Sequence, residues 1–269
     1  MTIHTTKGRA LITGASTGIG AIYADRLAQR GHDIILVARN EARLATVARH
    51  IEQTTGRNVT IVQADLGKKA DLARVEAILR EDTSIDMLVN NAGFGAVAPL
   101  LDAEVDRMEE MIDLNVTALT RLVYAAAPGF AARGHGTIIN IASIVAIGPE
   151  ILNGVYGATK AYVLALTQSL HHELAEKGVR VQAVLPGATA TEFWDIAGFA
   201  HTGMPSGWVM RAEDMVDAAL VGLDQGEIVT IPPLHNGDDW LTYEASRKAL
   251  SERFRNAQPG PRYGVQAHQ

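Results

Sequence analysis

Three side chains in this 269-residue sequence have types and spacings that suit proton transfer to an oxygen. Tyr156 and Lys160, in Tyr156-Gly157-Ala158-Thr159-Lys160, stand four apart and share one face if the segment is helical. An ammonium about 4 Å from a phenolate is worth roughly 4 kcal/mol at an effective dielectric of 20, which lowers the phenol's pKa by about three. Such a phenol exchanges a proton efficiently with a carbonyl or an alcohol, and Tyr156 is read as a general acid. Ser143 comes thirteen residues earlier at the end of an expected strand, where open α/β sheets place their ligand groups, and its hydroxyl can orient a carbonyl oxygen.

A second group of residues suits phosphates. Thr13-Gly14-Ala15-Ser16-Thr17-Gly18-Ile19-Gly20 follows the first apolar run and opens the first helical pattern. Glycines there let the backbone approach a pyrophosphate, and the helix N-terminus supplies free N–H groups and the positive end of a dipole. The next strand ends in Ala38-Arg39-Asn40 without a carboxylate. An acid at that place binds the ribose 2′-hydroxyl of NAD, whereas the fork of Arg39, helped by Arg43 one helical turn on, suits the 2′-phosphate of NADP.

These groups need a scaffold that brings strand ends together. Val- and Ile-rich runs predict strands at 9–13, 33–39, 59–64, 85–90, 137–143, 180–185 and 227–231, continuous rather than alternating, as in a parallel sheet covered on both faces. Helical spacing predicts helices at 19–30, 40–54, 69–80, 103–127, 154–177 and 212–224, with Gly31, Gly56 and Gly178 at C-terminal caps, and a further helix from Asp239 to Arg255. The order predicts a single α/β domain over 1–255, a Rossmann-like, doubly wound parallel sheet of about seven strands, then a flexible tail over 256–269. The segment 186–210 shows no evident element. It holds Phe193, Trp194, Phe199, Met204, Trp208 and Met210, read as an apolar lid over a hydrophobic ketone or alcohol; a cover for the protein's own core is the other reading.

Thirty acidic against 24 basic residues give a net charge of −6, the wrong sign for a nucleic-acid or anionic-membrane partner. There is no cysteine and no His-x-x-x-His pair, so no metal site is expected. Without an apolar leader or an 18-residue apolar run, a soluble cytoplasmic protein is expected. The Tyr156 helix is apolar round most of its circumference, and with the apolar stretch 114–127 this predicts a two-fold interface.

Taken together the motifs over roughly residues 7–232 resemble the single-domain type of the short-chain dehydrogenase/reductase family. They are the glycine turn, Asp65-Leu66, Asn90-Asn91-Ala92-Gly93, Asn115, Ser143, Tyr156 with Lys160, and Pro186-Gly187 with Thr191. The resemblance implies an NAD(P)-dependent oxidoreductase moving a hydride between nicotinamide and a carbonyl or secondary alcohol, as a homodimer or homotetramer. Asn115, Ser143, Tyr156 and Lys160 would be catalytic, Asn115 holding a water linked to Lys160. Gly14, Ser16, Thr17, Gly18, Ile19, Gly20, Arg39, Asp65, Leu66, Asn91, Ala92 and Gly93 would line the cofactor. Asp65 and Leu66 would lie on its adenine, Lys160 on the ribose hydroxyls beside Tyr156, and Pro186, Gly187, Thr189 and Thr191 at the nicotinamide end. Some NADP-using members carry Lys or Arg where this chain has Thr17, which leaves Arg39 as the basic residue favouring NADP. An NAD-linked alcohol dehydrogenase and a non-catalytic NADP-binding sensor are the alternatives.

Overall fold

Strands β1 (Arg9–Thr13), β2 (Asp33–Ala38), β3 (Val59–Gln63), β4 (Ile85–Asn90), β5 (Gly136–Ile141) and β6 (Val179–Val184) form where the apolar runs lie. With a last short strand, Val229–Thr230, they make one parallel sheet in the order β3-β2-β1-β4-β5-β6 and then that strand. The order reverses direction beside β1, so the carboxyl ends of β1 and β4 part and open a crevice there. The computed structural model describes residues 7–198 and 204–265. Helices α1 (Gly18–Gln29), α2 (Glu41–Thr55), α3 (Lys69–Glu81), α4 (Val105–Ile112), α5 (Leu119–Arg133) and α6 (Gly154–Leu174) make the crossovers. Parallel neighbours require such connections, and the central strands are buried except at their ends because helices cover both faces.

The sequence differs from the structure in two places. The expected helix over 103–127 is α4 and α5 joined by a π-helical stretch, Asp113–Ala118, and α5 continues through Pro128 to Arg133. The segment 186–210 is not bare loop: β7 (Thr189–Ala190) pairs in parallel with β8 (Met210–Arg211), and α7 (Phe193–Ala197) and a 3-10 turn (Ser206–Trp208) lie between them. Elements this short leave no periodicity to read. Phe199 and Gly203 of that segment lie outside the described residues. After α8 (Ala212–Asp224) and β9 (Val229–Thr230), residues from Leu234 onward group into a second compact unit, the first ending at Pro233 in the chain. That unit holds α9 (Gly237–Glu252), capped by Asn236, whose side chain accepts from the Asp238 amide. None of its residues is buried, since its apolar side chains do not gather on one stripe.

Candidate active site

The glycine turn is fastened from behind by the segment that follows β4. The Thr13 hydroxyl accepts from the amides of Asn91 and Ala92, and the Asn91 side-chain amide donates to the carbonyls of Thr13 and Gly14. Gly14 has φ +65, and a Cβ on Gly20 would stand 2.4 Å from the Gly14 carbonyl oxygen, so neither position accepts a side chain. The N-cap of α1, Thr17, makes no side-chain cap, and the first turn carries no acid. By contrast α2 has Asn40 accepting from the Arg43 amide and Glu41 in its first turn. The first turn of α1 therefore retains N–H groups for an anion.

One cleft of about 950 Å³ begins at Arg39 and Arg43, passes Gly14, Ser16, Thr17, Gly18 and Ile19 with Asp65 and Leu66 alongside, and ends at Ser143, Tyr156 and Lys160. Asn91, Ala92, Gly93, Pro186, Gly187, Thr189 and Thr191 complete its wall. The structure thus brings together on one surface every expected cofactor residue except Gly20, which sits behind the turn. A cleft of this volume lies at the upper end of small-molecule sites, room for a dinucleotide with a further small molecule. Anion-receptive amides at the middle and guanidinium groups at one end fit the charge of a dinucleotide phosphate.

At the other end Asn153 starts α6. Its Oδ1 accepts from the amides of Val155 and Tyr156, and its Nδ2 donates to the Ala98 carbonyl at 2.6 Å. This cap fixes where Tyr156 emerges, and the sequence signal for it is an Asn at the first residue before a helical pattern. Lys160 donates to the Ile141 carbonyl at 2.9 Å, and its Nζ lies 5.8 Å from the Tyr156 ring centre. Ser143 follows β5 and packs its hydroxyl toward the Pro186 carbonyl at 3.4 Å. Asn115, in the π-helical stretch, accepts from the Phe94 amide and donates to the Phe94 carbonyl and the Thr159 hydroxyl. Its side chain ties the loop after β4 to α6 one residue from Lys160, and its amide makes no hydrogen bond to Lys160 itself. π-turns of this kind often sit at functional sites.

The electrostatics correct the expectation of a phenol near neutrality. Burial pushes Tyr156 up to about 12, with a hydrogen bond to Ser143 pulling the other way. Burial pushes Lys160 down to about 8. The ammonium is held by the Ile141 carbonyl and both groups are buried, so desolvation is the largest influence on each. At neutral pH Tyr156 therefore carries its proton.

The wall around Tyr156 is apolar: Val145, Met108 and Met111 are buried against it, with Phe94, Leu152 and Phe193 partly buried beside them. Phe193 lies 5.8 Å from the Tyr156 ring centre. The expected lid divides in two. Met210 packs on the protein's own core; Phe193, Trp194, Met204 and Trp208 line the cleft, Trp194 buried and donating from Nε1 to the Thr189 carbonyl, Trp208 largely exposed. Asn153 and the Phe94 and Leu152 wall were not legible as site residues from the sequence. Among the described residues no cluster of His, Asp and Glu suits a metal ion, and no helix is long and apolar enough to cross a membrane.

Residues 8–197 match the family model described as short chain dehydrogenase. An uncharacterised oxidoreductase of Staphylococcus epidermidis is 34% identical over 223 residues, 82% of this chain and 93% of the relative. Among solved structures, a short-chain dehydrogenase from Sphingobium yanoikuyae in complex with NADPH superposes with TM-score 0.91 at 48% identity, covering 94% of this chain and 98% of that one. The bulky-bulky ketone specific alcohol dehydrogenase from Comamonas testosteroni gives 0.89 at 44% identity, covering 96% and 99%.

Proposed function

The chain belongs to the short-chain dehydrogenase family and is an NAD(P)-dependent oxidoreductase of alcohol and ketone groups, and we propose that it is an NADPH-dependent reductase of bulky apolar ketones. The observation that carries this reading is a single cleft with two unlike ends, Arg39 and Arg43 at one and a buried Ser143, Tyr156 and Lys160 under an apolar wall at the other. Arg39 and Arg43 would take a 2′-phosphate, the first turn of α1 the pyrophosphate, and Pro186, Gly187, Thr189 and Thr191 the nicotinamide end. When bound, the nicotinamide supplies or accepts the hydride at the carbonyl carbon.

The chain's own groups supply the rest. Ser143 orients the carbonyl oxygen, and Tyr156, protonated at neutral pH, donates the proton. Lys160 keeps a charge beside the phenol below about pH 8 and stabilises the phenolate left by the transfer. Asn115 holds the loop after β4 against α6, which keeps Lys160 in place. The side chains packed with Tyr156 on this wall, Val145, Met108, Met111, Phe94, Leu152 and Phe193, are apolar, which supports an apolar substrate. The described specificity of the Comamonas enzyme for bulky-bulky ketones supports a ketone with two large arms. A homodimer or homotetramer is part of the same reading, supported by exposed Tyr124 on α5 and Tyr162 on α6.

The test is titration of NADPH and NADH by fluorescence, then oxidation of NADPH against diaryl and long-chain ketones, with Tyr156→Phe alongside. We expect NADPH to bind more tightly, turnover to rise with ketone bulk, and Tyr156→Phe to keep cofactor affinity while losing turnover. Retained turnover in Tyr156→Phe, or a preference for small charged carbonyls, overturns the reading.

A further inference from the structure

The segment after β7 crosses the cofactor cleft as a strap. Thr191 packs on the glycine turn, its Cγ2 standing 3.3 Å from where a Cβ on Gly18 would lie. From the next residue the Glu192 carboxylate reaches the far side and accepts from Arg43 Nη1 at 2.6 Å, joining residues 149 positions apart. Arg43 stands in the first turn of α2, close in the chain to Arg39, and both line the cleft. Glu192 and Asp65 are the acids in that lining among the described residues, and Asp65 is turned to the Gly67 amide. A carboxylate therefore holds one of the two guanidinium groups available to an adenosine 2′-phosphate.

We propose that Glu192 is a specificity-determining residue for the cofactor, its carboxylate competing with the 2′-phosphate for Arg43 and so weakening the binding of the phosphorylated adenosine alone. This rests on the reading that the Arg39 and Arg43 end receives that phosphate. The carboxylate acts twice in the same direction, by occupying a donor of Arg43 and by placing a negative charge beside a dianion. Both partners are about half exposed, and an exposed pair of this kind shifts an equilibrium by about one and a half to fivefold. A cofactor without the 2′-phosphate has nothing to compete for and is indifferent to Glu192. The device narrows the gap between NADPH and NADH that the two arginines alone would open.

The experiment titrates 2′,5′-ADP, 5′-AMP, NADPH and NADH into wild type, Glu192→Gln, Arg43→Gln and the double variant by calorimetry, with melting curves to confirm the fold. We expect Glu192→Gln to tighten 2′,5′-ADP and NADPH by about two- to fivefold at low salt and to leave 5′-AMP and NADH unchanged. The gain should vanish in the Arg43→Gln background and shrink toward 1 M salt, where the screening length falls to about 3 Å. Unchanged or weaker 2′,5′-ADP binding in Glu192→Gln, or an equal change for all four ligands, overturns the competition and makes the pair a structural strap. Wild type binding 5′-AMP as tightly as 2′,5′-ADP instead overturns the 2′-phosphate reading itself, and the proposal with it.

Discussion

Lys160 costs the folded chain stability, and replacing it with methionine should show how much. Burial holds its pKa at about 8 instead of the 10.5 it has in an unfolded chain. Below pH 8 the folded protein thus carries a charge it has desolvated, at a cost of about 3 kcal/mol from the difference in pKa. Lys160→Met removes that cost with a side chain of similar length, and leaves the Ile141 carbonyl without its donor, a loss of about 1 kcal/mol. The net gain of about 2 kcal/mol corresponds to a rise in Tm of about 4–8 °C for a chain of this size. The sign is set by proton uptake: between pH 8 and 10.5 the unfolded state binds more protons at this lysine, so wild-type stability increases with pH in that window. The variant lacks that increase, and the two melting temperatures should converge as pH rises from 7 toward 10. Tyr156, with its pKa raised to about 12, loses stabilising protonation only above pH 10 and does so in both proteins. Scanning calorimetry of both proteins from pH 6 to 10 reads this directly, with ketone reduction measured in parallel. A lower Tm for Lys160→Met, or the same pH dependence in both, refutes the reasoning; turnover should be lost in the variant whatever its Tm.

Three further perturbations follow from particular contacts. Arg39→Asp should lower the kcat/KM ratio of NADPH over NADH by about 10- to 100-fold, the worth of a charge-assisted contact, and an unchanged ratio removes Arg39 from cofactor selection. Asn153→Ala removes the cap of α6 and the bond to Ala98, costing about 1–2 kcal/mol in denaturant unfolding, and should lower kcat while the NADPH dissociation constant stays within about twofold; Asn153→Asp should restore the cap but not the bond to Ala98, whose carbonyl a carboxylate oxygen repels, and so only part of the stability and rate. Gly20→Ala forces a Cβ against the Gly14 carbonyl, a backbone atom that cannot swing away, and should weaken NADPH binding by about tenfold or more in fluorescence titration.

What the sequence determined by itself is the sheet and the residues that face its crevice. Continuous Val and Ile runs between helical patterns place strands within one or two residues of those observed for β1 to β6; for the strands inside the sheet the reason is that burial on both faces demands an unbroken apolar run, while β3 lies at the edge with no buried residue. Gly14, Ser143, Tyr156 and Lys160 were legible for a related reason: each sits at a strand end or on a helix face, where local spacing already fixes direction. Tertiary structure decided whatever depends on distance between segments. The common burial of Tyr156 and Lys160 turned an expected acidic phenol into one that holds its proton, since desolvation depends on neighbours that spacing along the chain does not encode. Likewise Arg43 and Glu192 meet across 149 residues, and Trp194 turns inward while Phe193 beside it faces Tyr156. Which of two adjacent aromatics enters the core is settled by the wall opposite, and that wall exists only once the chain has folded.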